Sequence, residues 1–346
     1  MLMTSGDLDG ECVQYTDYMK NGEASSVEAD TRYHPSADQL ALASAMDDTI
    51  ADLLPLARLH AANDESAETW SHLDQAGIFG ICVGEDHGGS ALGAAEEALI
   101  VMGLGRRLAS PAVLAALGVV HGDAAGAAGR RVAAGYRRDG RIVVVDGAGA
   151  ELLLLRDADA AALYPLPATL KPLDDRLWLA GLHEADGLGA PLVHFDDAGV
   201  RRLRLIDAAA LAGVAETALQ MGVEYAKLRE QFGRPIGSQQ AIKHHCANMA
   251  IAARCARDQV GFAAVAVDEG RADATLQVDS ALFVAGRAAL DNAGANIQIH
   301  GGIGFSDEAD PHLLLKRAQV LLAVAGGLEA ANVRIARTRI DSTTEG

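Results

Sequence analysis

The segment from residue 225 to residue 240, YAKLREQFGRPIGSQQ, holds side chains suited to binding a phosphorylated ligand. Its Arg229 carries a planar cation that can bind phosphate oxygens through two parallel hydrogen bonds and keeps its charge at physiological pH. Phe232 and Gln240 follow it in the same segment. For Arg229 or Gln240 taken alone, a role in solvating a loop between two helices is the better interpretation.

The segment from residue 298 to residue 305, QIHGGIGF, offers a second candidate contact. Gly301 and Gly302 would let backbone amides approach a phosphate or a ribose, because no Cβ stands in the way. Gln298 stands three residues before the glycine pair. Without further context, however, a GGxG string after a helix is more often a helix cap or a turn.

The histidines do not form a metal site. His87, His244, His245 and His300 have no carboxylate or cysteine recurring around them at the spacing of metal ligands. We therefore interpret each as a polar surface or loop residue and expect no bound metal.

The sequence pattern divides the chain into four stretches, which contain the elements that position these segments. Residues 1–35 are polar, acidic and aperiodic, which predicts a disordered extension. Residues 36–122 predict a helical domain with a glycine-rich loop. Residues 123–203 hold the short runs RIVVVDG, ELLLLRD, RLWLAG and APLVHFD, which indicate a small antiparallel β module. Residues 204–342 predict four amphipathic helices, beginning after Asp207 and packed as a bundle.

Composition excludes several classes of partner. The chain has 346 residues, half of them apolar, which is enough for two or three small domains with a substantial core. Lys and Arg number 29 against 47 Asp and Glu, so the net charge is −18. That balance disfavours nucleic acid or an anionic membrane as the main partner. Any anionic ligand must then be bound by local positive groups.

Cysteine usage and hydropathy indicate a cytoplasmic protein. Cys12, Cys82, Cys246 and Cys255 form no C-x-x-C pair, and we expect reduced thiols. The chain does not open with a signal peptide. Its longest apolar runs, such as residues 112–120, have roughly half the length that a membrane-spanning helix needs. We therefore expect no membrane span.

Together, the two candidate segments resemble the flavin-binding signature of acyl-CoA dehydrogenases. There, an R-x-x-F-G...Q string is followed one helix later by Q-x-x-G-G-x-G-[FY]. In that family the arginine matching Arg229 contacts the pyrophosphate of FAD, the phenylalanine matching Phe232 packs near the adenosine half, and the glutamine matching Gln240 lies close by.

The second string carries its own implication. In the family, the loop matching Gln298, Gly301 and Gly302 meets the FAD of a neighbouring subunit. The resemblance covers roughly residues 38–340, and the string VGEDHGG at residues 83–89 resembles a family loop that usually begins with proline. The resemblance as a whole implies the acyl-CoA dehydrogenase fold, which is α+β and mostly α. This fold has an N-terminal helical domain, a reduced middle β module and a C-terminal four-helix bundle.

The catalytic carboxylate of the family has no counterpart here. Removal of the α proton of an acyl-CoA requires a general base, and alignment with the family puts Ala325 at its usual position. The alternative position, just before Arg204, holds Leu203. Asp207 and Glu329 are the nearby acids and the candidate substitutes. Their simpler interpretations are a helix N-cap for Asp207 and a solvated helix face for Glu329.

These gaps imply a shared site. The family strings T-E-P-x-A-G-S-D and W-I-T, which surround the flavin ring and the thioester, are also missing between residues 140 and 202. The chain resembles the non-catalytic subunits of heterotetrameric acyl-CoA dehydrogenases from bacterial steroid side-chain degradation. We expect it to lend FAD-binding residues to a catalytic partner, which would bind most of the acyl-CoA. The alternatives are a self-sufficient dehydrogenase with a displaced base and a non-enzymatic acyl-CoA-binding or scaffold protein.

Overall fold

The computed structural model describes residues 32–61, 65–122, 125–173 and 179–344, with side chains as far as residue 338. Nearly all of the predicted N-terminal extension lies outside the described residues. Contacts join Tyr33–Gly346 in one compact unit, so the domain limits given above stay a prediction. Within the described residues, no helix combines the length and the apolar character needed to cross a membrane.

The N-terminal part is helical, as predicted. Its helices are α1 (Ala37–Leu53), α2 (Ala67–Gln75), α3 (Ala94–Arg106) and α4 (Pro111–Gly118). Serines set three of the starts, since the hydroxyls of Ser36, Ser66 and Ser110 each accept a hydrogen bond from a backbone N–H in the first turn. Gln39 completes a capping box with Ser36.

A seven-stranded sheet follows, with the spatial order β5-β6-β2-β1-β3-β4-β7. The strands are β1 (Val132–Arg138), β2 (Arg141–Val145), β3 (Leu152–Arg156), β4 (Ala161–Pro165), β5 (Leu170–Pro172), β6 (Leu182–Ala185) and β7 (Val193–His194). Of the predicted strand RLWLAG, residues 176–178 lie outside the described part, and Leu179–Gly181 only precede β6.

The prediction of a purely antiparallel module is wrong at one pair, because β1 and β3 run parallel. The reason is the tight turn at Asp139 and Gly140, whose φ values of 51° and 77° suit a two-residue hairpin. Because of this turn, β2 pairs with one edge of β1 in the antiparallel direction. The next strand takes the free edge of β1 and, running opposite to β2, becomes parallel to β1.

The C-terminal part contains the four predicted helices and one more. These are α5 (Asp197–Leu228), α6 (Gln240–Asp268), α7 (Ala274–His300), α8 (Pro311–Val324) and α9 (Gly327–Thr344). The predicted start after Asp207 is wrong, because α5 begins ten residues earlier. Its N-cap is Asp196, whose carboxylate accepts a hydrogen bond of 2.7 Å from the N–H of Gly199.

Helices α3 and α5 pack with their backbones in contact. A Cβ added to Gly105 would overlap the carbonyl oxygen of Ala210, and one added to Gly213 would overlap that of Met102. Each helix therefore contributes a glycine where the other approaches most closely. This contact ties the N-terminal helices directly to the longest helix of the chain.

The glycine contact predicts a measurable sensitivity. Gly213→Ala should lower the free energy of unfolding by about 1–3 kcal/mol or more, since overpacking forces the helices apart. Gly294→Ala in α7 is the matched control, because its added Cβ would meet no atom within 4 Å, and the gain in helix propensity is up to about 1 kcal/mol. Urea unfolding of both variants measures the difference. Equal stabilities would contradict the close contact.

Candidate functional site

A groove of about 410 Å³ lies where the C-terminal ends of α5 and α7 meet the start of α6. Four residues that the sequence singled out line it: Arg229, Gln298, Gly301 and Gly302. The two segments recognised in the sequence, more than 50 residues apart along the chain, thus face each other across one groove.

Arg229 is held at the edge of this groove by its backbone. It directly follows the last residue of α5, and its N–H donates a hydrogen bond of 2.8 Å to the carbonyl of Tyr225. Its own carbonyl accepts one of 2.8 Å from the N–H of Ile236. The side chain is exposed and makes no ion pair with any described residue. The guanidinium is therefore available to an anionic ligand.

Phe232 sits at the tip of a two-residue hairpin turn between β8 (Glu230–Gln231) and β9 (Arg234–Pro235). Its φ is +54° and that of Gly233 is +75°, which is typical of a tight hairpin turn. A bulky residue rarely adopts a positive φ. The side chain of Phe232 is 93% exposed. Phe232 does not line the groove of its own chain.

Gln240 also lies outside the groove. It is the first residue of α6, is exposed, and its amide nitrogen lies 3.3 Å from Nε2 of His244. Its neighbour Gln239 lines the groove instead. Phe232 and Gln240 therefore form an exposed flank, whereas the remaining predicted residues form the groove itself.

The glycine pair follows the end of α7. Gly301 has φ +64° and ψ −141°, a conformation that favours glycine. A Cβ built on Gly301 or Gly302 would meet no atom of the chain within 4 Å. The space above both glycines is therefore open, and a ligand can approach their backbone closely.

His300 is the groove residue that the sequence interpretation missed. It is the last residue of α7 and half-buried, rather than a surface or loop residue. Its ring stacks on Tyr225, with 4.0 Å between the ring centroids and 24° between the planes. Burial lowers the pKa of His300. Tyr225 and His300 each lie inside one of the two segments recognised in the sequence. This position was the signal that could have identified them as groove residues.

The two residues that the resemblance aligns with the base positions of the family, Ala325 and Leu203, have aliphatic side chains. Ala325 is buried at the end of α8, and Gly326 and Gly327 follow with φ of +88° and +85°. Leu203, at the alternative position, is buried within α5. Glu329 is exposed in the first turn of α9, as expected for a solvated helix face.

Asp207 is a buried ion-pair partner, so its interpretation as an N-cap is wrong. It is 3% exposed within α5 and bonds the guanidinium of Arg156 on β3. Burial raises the pKa of Asp207, and Arg156 opposes that effect. The pair lines a cavity of about 20 Å³ together with Leu203 and Val324. That volume has room for about one water molecule, not for an acyl chain.

Comparison with protein families identifies the fold. Residues 36–128 match the model of the acyl-CoA dehydrogenase N-terminal domain, and residues 198–340 match that of the acyl-CoA dehydrogenase C-terminal domain. The chain belongs to the acyl-CoA dehydrogenase family. Members of this family generally bind FAD, and the fold expected from the sequence is confirmed.

Two mycobacterial relatives illustrate the similarity in sequence. Acyl-CoA dehydrogenase FadE34 of Mycobacterium tuberculosis is 38% identical over 196 residues, which are 54% of this chain and 26% of that protein. Acyl-CoA dehydrogenase IpdE2 of the same organism is 44% identical over 111 residues, or 32% of this chain and 33% of that protein. The matched stretches thus span a quarter to a third of these relatives.

Solved structures share the fold over most of the chain. The Tcur3481-Tcur3483 steroid ACAD has a TM-score of 0.72 at 22% identity, and covers 89% of this chain and 98% of its own. The ChsE4-ChsE5 complex from Mycobacterium tuberculosis has a TM-score of 0.71 at 24% identity, with the same coverage of 89% and 98%. At these identities the likeness establishes the fold alone.

The Arg156–Asp207 pair yields a prediction on stability. Asp207→Ala and Arg156→Ala should each lower the free energy of unfolding by about 3–5 kcal/mol, because each leaves a buried charge without its partner. The double variant Arg156→Ala with Asp207→Ala should cost much less than the sum of the single losses. Urea unfolding of all three measures the coupling. Additive losses would mean that the two side chains do not interact.

The backbone of Phe232 yields a second prediction, on the isolated chain. Phe232→Gly should be about 1 kcal/mol more stable than Phe232→Ala, because both remove the ring but only glycine is free of strain at φ +54°. Thermal unfolding of the two variants side by side gives the comparison. Identical melting temperatures would show that the turn can relax to a negative φ.

Proposed function

We propose that this chain is a subunit of an FAD-dependent acyl-CoA dehydrogenase and lends FAD-binding residues across an interface to a catalytic partner. The observation that carries the proposal is the separation of two sites along α5. Leu203, beside the closed cavity, and Arg229, at the groove, are 26 residues apart on this helix, or roughly 39 Å at 1.5 Å per residue. That length exceeds the reach of a dinucleotide bound in the groove, which supports a reacting centre supplied by another chain.

The chemistry of the groove supports a dinucleotide as its ligand. Arg229 and the N-terminus of α6, which carries the positive end of the helix dipole, suit a pyrophosphate. The C-terminus of α7 presents backbone carbonyls and Gln298, which suit hydroxyl and amino donors. The open space above Gly301 and Gly302 admits a ligand against the backbone. When bound, FAD would accept the hydride released from the β carbon of the substrate.

Exposed apolar side chains beside the groove support a protein partner. Phe232, Leu228 and Phe305 are 93%, 82% and 73% exposed. Aromatic residues are enriched in protein interfaces, and a large apolar patch on a surface marks an interaction site. Two of the similar solved structures are named as pairs of chains, ChsE4-ChsE5 and Tcur3481-Tcur3483. These names favour a heteromeric assembly, which we take to be a heterotetramer.

The closed cavity bears on the substrate. The cavity that Leu203, Asp207 and Val324 line has about 20 Å³, which is too small for an acyl group. This favours an acyl-CoA bound mainly to the partner. The steroid ACAD among the similar structures favours a bulky steroid side-chain thioester as that acyl-CoA. The described cysteines form no disulfide, which suits a reducing, cytoplasmic setting.

The proposal predicts where flavin appears. The chain purified alone should be colourless and inactive, and co-expression with a family member that keeps the T-E-P-x-A-G-S-D string and a base should give a yellow, active complex. Arg229→Ala should weaken FAD binding by the complex at least tenfold, because it removes a charged hydrogen bond. Flavin absorbance after gel filtration and acceptor-coupled turnover provide the measurements.

The control is Arg287→Ala, which removes an exposed arginine that pairs with Asp291 on α7 instead of lining the groove. It should leave the flavin content unchanged. A chain that is yellow and active by itself would favour the self-sufficient enzyme. A complex whose flavin content ignores Arg229→Ala would favour the scaffold.

A further inference from the structure

We propose that His300 is a binding residue of the groove, and that its Nε2 atom accepts a hydrogen bond from a hydroxyl or amino group of the bound dinucleotide. The inference rests on the proposed function, because it concerns the same groove. It adds a specific contact, a protonation state and a sign for the dependence of binding on pH.

The tautomer of His300 follows from its own helix. Nδ1 lies 2.9 Å from the carbonyl oxygen of Asn296. A carbonyl oxygen can only accept a hydrogen bond, so Nδ1 must carry the proton. In a neutral imidazole the lone pair then belongs to Nε2. No hydrogen bond to Nε2 is formed by any described residue, so this acceptor is available to a ligand.

The orientation of the ring is fixed from two sides. Tyr225 stacks on its face at a centroid distance of 4.0 Å, while the Asn296 carbonyl holds its Nδ1 edge. Tyr225 and His300 both line the groove. An acceptor held in this way loses little conformational freedom when a ligand binds.

The surroundings of His300 keep it neutral at neutral pH. Burial lowers its pKa, whereas the bond to Asn296 and the charge of Asp310 act in the opposite direction. The titratable groups that share the groove are Tyr225 in α5 and Arg229 directly after it. Gln239 and Ile242, at the start of α6, are uncharged. A protonated His300 would be a second cation in the groove beside Arg229.

The two ends of the groove would therefore discriminate between parts of the ligand. The Arg229 end attracts the pyrophosphate. The α7 end combines the terminal carbonyls of a helix with the lone pair of His300, and both select hydrogen-bond donors over phosphates. A ribose hydroxyl or the amino group of adenine is the kind of donor that fits.

The test measures the dissociation constant of FAD from the co-purified complex by flavin fluorescence at several pH values. His300→Phe keeps a ring that can stack on Tyr225 but lacks the acceptor. His300→Asn can still donate to the Asn296 carbonyl but does not reach into the groove. Both should weaken FAD binding about 2- to 10-fold at pH 7.5, the range for one neutral hydrogen bond.

The pH profile separates a ligand contact from a structural role. In the wild-type complex, binding should weaken on acidification below the lowered pKa of His300, by up to tenfold per pH unit, because protonation removes the acceptor. His300→Phe should lose this dependence. The control His72→Asn, at an exposed histidine of α2 outside the groove, should retain it.

Two results would overturn the inference. Binding that strengthens on acidification would mean that His300 acts as a cation, and unchanged affinities and pH profiles in both His300 variants would mean that it does not touch the ligand. If Arg229→Ala weakens FAD binding while the His300 variants do not, only this inference fails. If none of them changes FAD binding, the proposed function fails as well.

Discussion

The unbroken length of α5 is the constraint on which the rest of the structure depends. Its 32 residues form one helix, which contacts α3 through paired glycines, the sheet through Asp207, and α7 through Asn292. The amide of Asn292 donates to the carbonyls of Ala215 and Met249, 3.1 and 2.9 Å away on α5 and α6. Because a helix of this kind is rigid, these contacts fix the positions of both its ends together.

A group of buried ionic contacts decides how the sheet lies against the helices. Arg204 of α5 and Arg334 of α9 both donate to the carbonyl of Ala158, in the turn between β3 and β4. Both guanidiniums also approach Asp279 of α7, at 3.6 and 2.8 Å. Buried pairs of this kind add little net stability after desolvation. Their contribution is orientation, since only one placement of the turn satisfies all of these groups.

Local patterns in the sequence were sufficient for much of this architecture. The resemblance to the family singles out four lining residues of the groove and places Ala325 at the position of the base, and the order of helical and β regions follows from periodicity. The early start of α5 does not, because Arg202 and Arg204 interrupt the apolar pattern and are neutralised by acids distant in the chain, such as Glu97 and Asp279. The parallel pair of strands and the stack on His300 likewise depend on residues that only the folded chain brings together.

The backbone at the end of α8 has an evolutionary consequence. A carboxylate introduced at Ala325 would enter a buried position, and burying an unpaired charge costs several kcal/mol. One introduced at Gly326 or Gly327 would have to adopt a positive φ, at a cost of about 1–2 kcal/mol for a residue with a Cβ. No single substitution in this stretch gives the chain a base without such a penalty. The division of labour that we propose between this chain and a catalytic partner would therefore be hard for mutation to reverse.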